Sequence, residues 1–417
     1  MSNRLTEISM LRALRTPSFA LLWGGQSCSR LGDYLYEIGL AWWVLEKTGE
    51  AGAMATVLIF AFGPTALFSL FGGVAVDRYS RLWIMLIADL VRGATALVMG
   101  VLAISGLLEI WHVYILSLVF GIVEAFFHPA YTATVPELVS MDDLPSANSL
   151  TSLSIQGGRI LGPPLGALMI ALGGTASIFL WNGLTFFVAA LLLLPLLQNQ
   201  SIQSIHALRS SPQDNTPGLL DDFREGMRIV LGLPWLWLSI LVFALSNATL
   251  GGPYSVSLPF LVDEVLGGKV QLLGLLYALF AGGYVLGGIA MGQMKRIPHR
   301  GRLMYGGLAI AGLMILLFGL PIGLVGLALA ALVNGAMLEV GGLAWTHSLQ
   351  ELVPRDKLGR IASIDNLGSL AFVPIGYGIA GWATELFGPQ QVFLVGGGLT
   401  VLFALMAWSH PAVRQLN

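Results

Sequence analysis

Ionisable side chains stand at helical spacing inside the apolar stretches of this 417-residue chain. In the first stretch, Arg30, Asp33 and Glu37 follow one another at spacings of three and four, which puts them on one face of a helix. Two acids beside one base leave that face with an unpaired negative charge, and the acids repel each other. One of them should therefore hold a proton near neutral pH and be able to carry it. A structural ion pair with Arg30 is the alternative interpretation.

The later apolar stretches carry charges of their own. Asp89 and Arg92 are three residues apart, a spacing that favours an internal ion pair; contact with the substrate is the alternative. Glu124 has no helical neighbour of opposite charge, and Arg159 in the following stretch is a candidate partner. A charge at the centre of a bilayer costs at least about 2.5 kcal/mol, so these residues should face a protein interior. Glu124 is therefore the second candidate proton carrier, beside Asp33.

The second half of the chain has fewer charges in its apolar stretches. Glu339 and Asp365 lie there, without a lysine or an arginine. Asn247, Tyr254 and Tyr284 add polar and aromatic groups to a mainly apolar surface. Such a surface suits a hydrophobic substrate of loose specificity. We therefore predict a substrate cavity that includes Asn247, Tyr254, Tyr284 and Glu339.

The composition indicates what kind of scaffold positions these residues. Hydrophobic residues make up 56% of the chain and charged residues 11%, whereas soluble domains carry about 25% charged residues. An all-α membrane protein is expected, and at about 20 residues per span the length accommodates about twelve spans. A net charge of −2 gives no reason to expect a nucleic-acid partner. The single cysteine, Cys28, allows neither an internal disulfide nor a thiolate metal site.

The distribution of basic residues predicts how the chain crosses the membrane. The predicted spans are roughly 17–46, 52–76, 82–105, 108–134, 147–172, 175–198, 234–263, 270–294, 302–321, 324–352, 358–386 and 389–410. With the N-terminus in the cytoplasm, the cytoplasmic segments hold 16 of the 21 lysines and arginines. Basic residues are enriched on that side, so both termini are expected there. No cleaved signal peptide is expected.

A polar segment divides the chain. Residues 199–218 are rich in Gln, Ser, Asn, Asp and Pro, as flexible linkers are. Apolar residues then recur at helical spacing opposite charged ones, which predicts a helix on the membrane surface; a fully solvated helix is the alternative. The predicted domains are an N-terminal six-helix bundle at 1–198, a cytoplasmic linker with this amphipathic helix at 199–233, and a C-terminal six-helix bundle at 234–417.

The two halves of the chain resemble each other in sequence. The residues that follow Glu137 match those that follow Glu351, at a spacing of 214. The motif that begins at Gly72 matches the one that begins at Gly287, at a spacing of 215, and Arg81 is matched to Arg296. Two six-helix halves joined by a polar linker are typical of transporters that work by alternating access.

The tight turn after the second span carries the pattern G-x-x-x-D-R-x-x-R, formed by Gly73, Asp77, Arg78 and Arg81. This pattern resembles the loop between helices 2 and 3 of the major facilitator superfamily. The resemblance implies that these residues latch the two halves of a transporter on the cytoplasmic face, against the start of the eleventh span near Arg360. An ordinary positively charged loop is the alternative.

Glycines recur in the fifth span. Gly158, Gly162 and Gly166 lie four residues apart, and Pro163 follows the second of them. Closely spaced glycine and proline bend a helix and let a neighbouring helix approach. The run resembles the fifth-helix antiporter motif of the superfamily's exporters, with Ala167 in place of the last glycine. A generic kinked helix is the alternative.

The segments 126–130, 136–138 and 147–148 resemble the macrolide-efflux and siderophore-export branch of the drug:proton antiporters. The resemblance implies twelve transmembrane helices in two six-helix pseudo-repeat halves, the major facilitator fold. It implies a monomer of the bacterial cytoplasmic membrane that exports hydrophobic or amphipathic small molecules by proton antiport, with no enzyme activity and no cofactor or metal. The alternatives are a lysophospholipid or siderophore carrier of the same fold, and a non-transporting membrane sensor or scaffold.

One position departs from the proton-coupled exporters. Ser117 stands where many of them carry an arginine in the fourth helix. If their proton relay operates here, Arg92 or Arg159 has to take the part of that arginine.

Overall fold

The computed structural model describes residues 9–198, 219–294, 299–354 and 357–414. Within these ranges every regular element is helical. A short 3-10 segment, Ser9–Arg15, comes first. The helices that follow are α1 (Pro17–Thr48), α2 (Ala51–Arg78), α3 (Arg81–Ile104), α4 (Ile110–Leu138), α5 (Leu144–Leu197), α6 (Leu219–Gly232), α7 (Pro234–Val265), α8 (Val270–Gly292), α9 (Arg300–Leu317), α10 (Gly323–Leu352), α11 (Leu358–Phe387), α12 (Pro389–Ser409) and α13 (Pro411–Arg414).

These helices account for the predicted spans. Among the described residues, ten helices are long and apolar enough to cross a membrane. One of the ten, α5, has 54 residues and contains two spans that are separated by a break at Gly174. Helix α1 adds another span, because its 32 residues extend for about 48 Å at 1.5 Å per residue. The predicted all-α membrane fold with twelve transmembrane helices is confirmed.

Two glycines, 214 residues apart, make sharp turns between consecutive spans. Gly174 has φ 71° and ψ 172°, and Gly388 has φ 83° and ψ 158°. This combination of angles is open essentially only to glycine. The chain therefore turns directly from the fifth span into the sixth at Gly174, and from α11 into α12 at Gly388.

The chain divides into two compact units. The first unit is Met1–Trp43 with Phe60–Gln213, and the second is Val44–Ile59 with Asp214–Asn417. In the first unit α3 packs on α4 and α5, and in the second α9 packs on α10 and α12 while α8 packs on α10. The second unit thus takes in the end of α1 and the start of α2, and the predicted boundaries at 199–233 stay a prediction.

The same contacts recur in the two units. Arg81 at the start of α3 binds Glu137 near the end of α4 at 2.6 Å. Arg300 at the start of α9 binds Glu351 near the end of α10 in the same way. In the sequence repeat Arg81 is matched to Arg296, which lies outside the described residues. The contacts make Arg300 the structural counterpart of Arg81, because both arginines begin a helix and bind the repeated glutamate.

A second pair of contacts fixes the spacing between equivalent helices. One turn into α3, the sulfur of Met85 faces the hydroxyl of Thr134, and in α9 the sulfur of Met304 faces that of Ser348. Residues of α9 therefore lie 219 positions after their counterparts in α3, and residues of α10 lie 214 positions after theirs in α4. This structural alignment lets individual residues of the two units be compared.

Helices α1 and α7 form a third equivalent pair. They begin at Pro17 and Pro234, which are 217 residues apart. At the same spacing, Gly32 packs on Asn182 of the sixth span, and Thr249 packs on Gly396 of α12. Since α12 follows the sixth span at a spacing of 214, the two contacts are equivalent.

Helix α6 occupies the place of the predicted amphipathic helix. Its Gly226 lies against Ile364 and Arg360, so α6 packs on the start of α11. Glu225 accepts hydrogen bonds from Arg360 Nη1 at 2.7 Å and from Lys357 Nζ. The linker segment 199–218 lies outside the described residues, so its predicted flexibility stays a prediction.

Candidate functional site

A buried cluster of charges joins α1, α3 and α4 in the first unit. Arg92 lies between two acids: Nη2 is 2.6 Å from Asp89 Oδ1, and Nη1 is 2.5 Å from Glu124 Oε2. Gln26 donates from Nε2 to the second oxygen of Asp89 at 2.9 Å. The side chains of Arg92 and Asp89 are 2% and 0% exposed, while that of Glu124 is 33% exposed. Glu124 is thus the least buried of the three.

Aromatic rings surround the guanidinium. Its carbon lies 3.9 Å from the ring centre of Phe127 and 4.5 Å from that of Phe186, with Phe120 at 5.8 Å. Ring faces attract cations, and they exclude water from the ion pairs. Charges in such a dry site interact strongly, so a change in the protonation of one acid acts on all of them.

Asp33 borders this cluster without a bond to it. It is close enough to Arg92 and Glu124 for their charges to act on it. Its Oδ1 is buried and makes no hydrogen bond of normal geometry, although the side-chain amide of Asn182 lies close enough to interact with it. A buried polar atom without a partner is costly and marks a strained or functional position.

The structure separates the three charges that the sequence put on one face of α1. Arg30 Nη1 donates to the Thr151 carbonyl at 3.3 Å, and its guanidinium lies 4.7 Å from the ring centre of Tyr131. Asp33 faces the Arg92 cluster instead, and Glu37 is exposed. A helix face is wide enough for neighbouring side chains to diverge toward different helices, so Arg30 does not form the ion pair with Asp33 or Glu37.

The structure also shows which arginine binds Glu124. Glu124 pairs with Arg92 and not with Arg159. Arg159 donates from Nε to the hydroxyl of Tyr34 at 3.1 Å and lies near Glu37. Arg92 and Arg159 were the two candidates for the role of the arginine that Ser117 replaces. Arg92 is the one that binds both Asp89 and Glu124.

The glycines of α5 contact α1 directly. A Cβ added to Gly158 or Gly162 would meet Tyr34, and one added to Gly166 would meet Ile38. Pro163 is buried beside them. The absence of side chains at these positions brings α5 against the helix that carries Asp33.

The residues of the predicted latch lie in different surroundings. Arg81 donates to Glu137 and to the Ala133 carbonyl within its own unit, while Arg78 is exposed. Gly73 has no neighbour within 4 Å of an added Cβ, and Gly72 is the glycine that packs closely, against Ala125. The side chain of Asp77 lies outside the part of the chain whose side chains are described, so its role stays a prediction.

A cavity of about 350 Å³ lies within the second unit. Its wall includes Phe243, Met304, Met337 and Trp345, together with the polar side chains of Asn247, Asp365, Asn366 and Ser369. Of the four residues predicted to form a substrate cavity, only Asn247 lines it.

The other predicted cavity residues lie elsewhere in the second unit. Tyr254 and Tyr284 belong to an aromatic cluster around Phe280, with ring centres 4.8 and 6.5 Å from that ring. Glu339 lies beside Gly288. Their contact with a substrate stays a prediction.

Asp365, which was not among the predicted site residues, lines this cavity. Its Oδ2 accepts a hydrogen bond from Trp345 Nε1 at 2.8 Å, and its Oδ1 accepts one from Ser369 at 3.2 Å. The internal repeat could have indicated this site. Tyr131 and Thr151 hydrogen-bond to each other at 3.1 Å, and at the repeat spacing of 214 they correspond to Trp345 and Asp365.

Comparison with known proteins agrees with this architecture. The sequence pattern of the Major Facilitator Superfamily matches residues 22–368. Macrolide efflux protein A from Streptococcus pyogenes is 25% identical over 406 residues, which cover 96% of this chain and 97% of that protein. Enterobactin exporter EntS from Escherichia coli is 29% identical over 352 residues, covering 83% and 80%.

Solved structures share the fold. A bacterial homologue of the iron transporter ferroportin, in an inward-facing state, superposes with a TM-score of 0.70 at 17% identity, covering 94% of this chain and 99% of that one. A POT family transporter in complex with 5-aminolevulinic acid gives a TM-score of 0.70 at 11% identity, covering 94% and 95%. At these identities the likeness concerns the fold alone.

Proposed function

This chain belongs to the Major Facilitator Superfamily, and on that premise we propose that it exports hydrophobic or amphipathic small molecules by proton antiport with alternating access. The macrolide efflux and enterobactin exporter relatives support export as the direction. We also propose that it works as a monomer in the bacterial cytoplasmic membrane, with both termini in the cytoplasm.

One observation supports the proposal of proton coupling: three carboxylates lie around one buried arginine. Arg92 binds Asp89 and Glu124, and Asp33 stands beside them with an unbonded oxygen. If all three acids were ionised, the cluster would bury two uncompensated negative charges, which is very costly in a medium of low dielectric. Protons on Asp33 and Glu124 remove that cost, so these two acids are the proposed carriers.

The geometry suggests how proton uptake moves the site. Protonation of Glu124 removes the charge that holds Nη1 of Arg92. The guanidinium is then free to bind the unpaired oxygen of Asp33 and so favour loss of a proton there. Because Asp33 lies on α1, this exchange of partners changes the contacts between α1 and α3 and so couples proton binding to the conformation of the first unit. Glu37, exposed and near Arg159, has a tuning role in this scheme.

Substrate uptake into inside-out membrane vesicles, into which an exporter pumps, tests the proposal when a pH gradient with an acidic interior is imposed. We expect Asp33→Asn and Glu124→Gln to abolish uphill transport of a radiolabelled macrolide while the purified variants still bind it. Glu37→Gln should cause a smaller loss. Asp142→Asn, which neutralises an exposed acid between α4 and α5, is the matched control and should transport normally.

Two results would remove the assignment. If both neutral variants still transport uphill at the wild-type rate, the proton site lies elsewhere or the driving ion is not a proton. If purified wild-type protein in liposomes gives no flux of any amphipathic solute under a gradient, the non-transporting sensor or scaffold becomes the better explanation.

Siderophore export is the second candidate function, because the enterobactin exporter relative is 29% identical to this chain. Loss of the protein from its host should then reduce the siderophore secreted into iron-poor medium. Unchanged secretion would reject siderophore export, and export of amphipathic drugs would remain as the proposed function.

A further inference from the structure

The two units differ most where the charged cluster lies. The alignment of equivalent helices gives an apolar counterpart in the second unit to every residue of that cluster. Gln26, Asp33, Asp89, Arg92 and Glu124 correspond to Phe243, Leu250, Leu308, Ala311 and Leu338. Four of these counterparts, all except Ala311, line the second-unit cavity. The place that holds buried charges in one unit is filled by apolar side chains in the other, and four of these side chains border the cavity.

Beside the cluster, the first unit has a second arginine, Arg30. The guanidinium of Arg30 lies over the ring of Tyr131 and donates to the carbonyl of Thr151. At the matching position of α7, the second unit has Asn247. An arginine that is fixed in the first unit is therefore replaced by a short neutral side chain that borders a cavity.

The two residues that contact Arg30 in the first unit also differ from their counterparts in the second unit. Tyr131 and Thr151 correspond to Trp345 and Asp365, so the second unit has a larger aromatic ring and a carboxylate. Asp365 accepts hydrogen bonds from Trp345 and Ser369, and no lysine, arginine or histidine among the described residues forms an ion pair with it. Compared with the first unit, the second unit thus has an aromatic ring at the same place, an additional carboxylate, and no arginine beside them.

We propose that this cavity binds the charged group of a lipophilic organic cation, with Asp365 as its counter-ion and the rings of Trp345 and Phe243 as its wall. A carboxylate in an apolar site attracts a cation strongly because little water screens it. Aromatic faces add to that attraction, and the methionines at 304 and 337 adapt to irregular apolar groups. The proposal rests on the proposed function and names the substrate class that the site selects.

Tetraphenylphosphonium and tetraphenylborate, two ions of the same shape and opposite charge, test the proposal. Equilibrium dialysis with the full-length protein in detergent, without any gradient, measures binding of each. We expect the wild type to prefer the cation. Asp365→Asn should weaken cation binding about tenfold or more and leave anion binding equal or stronger, because one charge-assisted contact is lost. Asp263→Asn, an exposed acid at the end of α7, should change neither.

A second variant tests the site by filling it. Asn247→Arg restores the arginine of the first unit beside Asp365 and Trp345. We expect it to abolish cation binding, whereas Asn247→Met, which is long but uncharged, should retain it. Size-exclusion profiles and melting temperatures identify any variant that fails to fold, and a folded Asn247→Arg variant that binds the cation as the wild type does would overturn the proposal.

The outcomes separate this proposal from the proposed function. Cation binding that depends on Asp365, without pH-driven export, keeps the binding site and rejects the proton coupling. Export that depends on Asp33 and Glu124, with equal binding of the two probe ions and no effect of Asp365→Asn, keeps the coupling and rejects the binding site. Preference for the borate would also reject it, in favour of an anionic substrate.

Discussion

Arg92 is the residue on which the candidate site depends. Its planar guanidinium binds Asp89 and Glu124 with two different nitrogens and stacks near Phe127, which a lysine could not do. A buried charge is retained only where its partners are held in good geometry. The pairs need α3 and α4 in register, so this one side chain links the chemistry of the site to the packing of two spans.

We expect Arg92→Met to lower the free energy of unfolding by about 3–5 kcal/mol, because it leaves two carboxylates in an apolar site without a cation. Adding Glu124→Gln to Arg92→Met should recover part of that loss, which is the signature of direct coupling in a double-mutant cycle. Arg302→Met removes an exposed arginine and is the control. Reversible unfolding in mixed micelles measures the four proteins. A loss below about 1 kcal/mol for Arg92→Met would contradict the assigned role.

At the scale of elements, glycines decide which helices meet. Gly158, Gly162 and Gly166 bring α5 against α1. A side chain there would separate the two helices and move Asp33 away from the Arg92 cluster. Small residues are favoured at such crossings because association within a membrane depends on close van der Waals packing.

Gly162→Ala should destabilise the protein by about 1–3 kcal/mol, since its Cβ would overlap Tyr34. The matched control is Gly157→Ala, on the same helix, where an added Cβ has no neighbour within 4 Å. That change should be neutral or stabilising by up to about 1 kcal/mol, because alanine favours helix over glycine. Thermal unfolding of both variants in one detergent makes the comparison. Equal effects would show that helix propensity, and not the approach of α1, explains the glycine.

At the scale of the whole molecule, the start of α11 is the predicted partner of the latch, and a carboxylate of α6 binds it. Glu225 of α6 accepts hydrogen bonds from Lys357 and Arg360, and these bonds keep the pKa of its carboxyl below the usual value. Its contribution is therefore complete above a pH of about 4.3 and is lost as the pH falls through the lowered pKa. The predicted latch residue Asp77 is expected to use the same stretch of α11.

We expect Asp77→Asn and Glu225→Gln to shift the cytoplasmic face in opposite directions. The first removes the predicted latch and should favour longer distances between spin labels on the cytoplasmic ends of α2 and α11. The second frees Arg360 and should favour shorter ones. Both shifts should shrink at high salt, because exposed ion pairs are screened. Distances that do not change in Asp77→Asn, together with unchanged transport, would reject the latch.

The sequence by itself determined the membrane fold, the twelve spans and the internal repeat, because hydropathy, helical period and basic loops are local properties of the chain. It also pointed to Asp33 and Glu124 as acids that a span would bury only for a function. Partner choice was beyond it: Arg92 and not Arg159 binds Glu124, Arg30 turns to Tyr131, and Asp365 borders a cavity. Those outcomes depend on which helix faces meet, and contacts between residues far apart in the chain set that geometry.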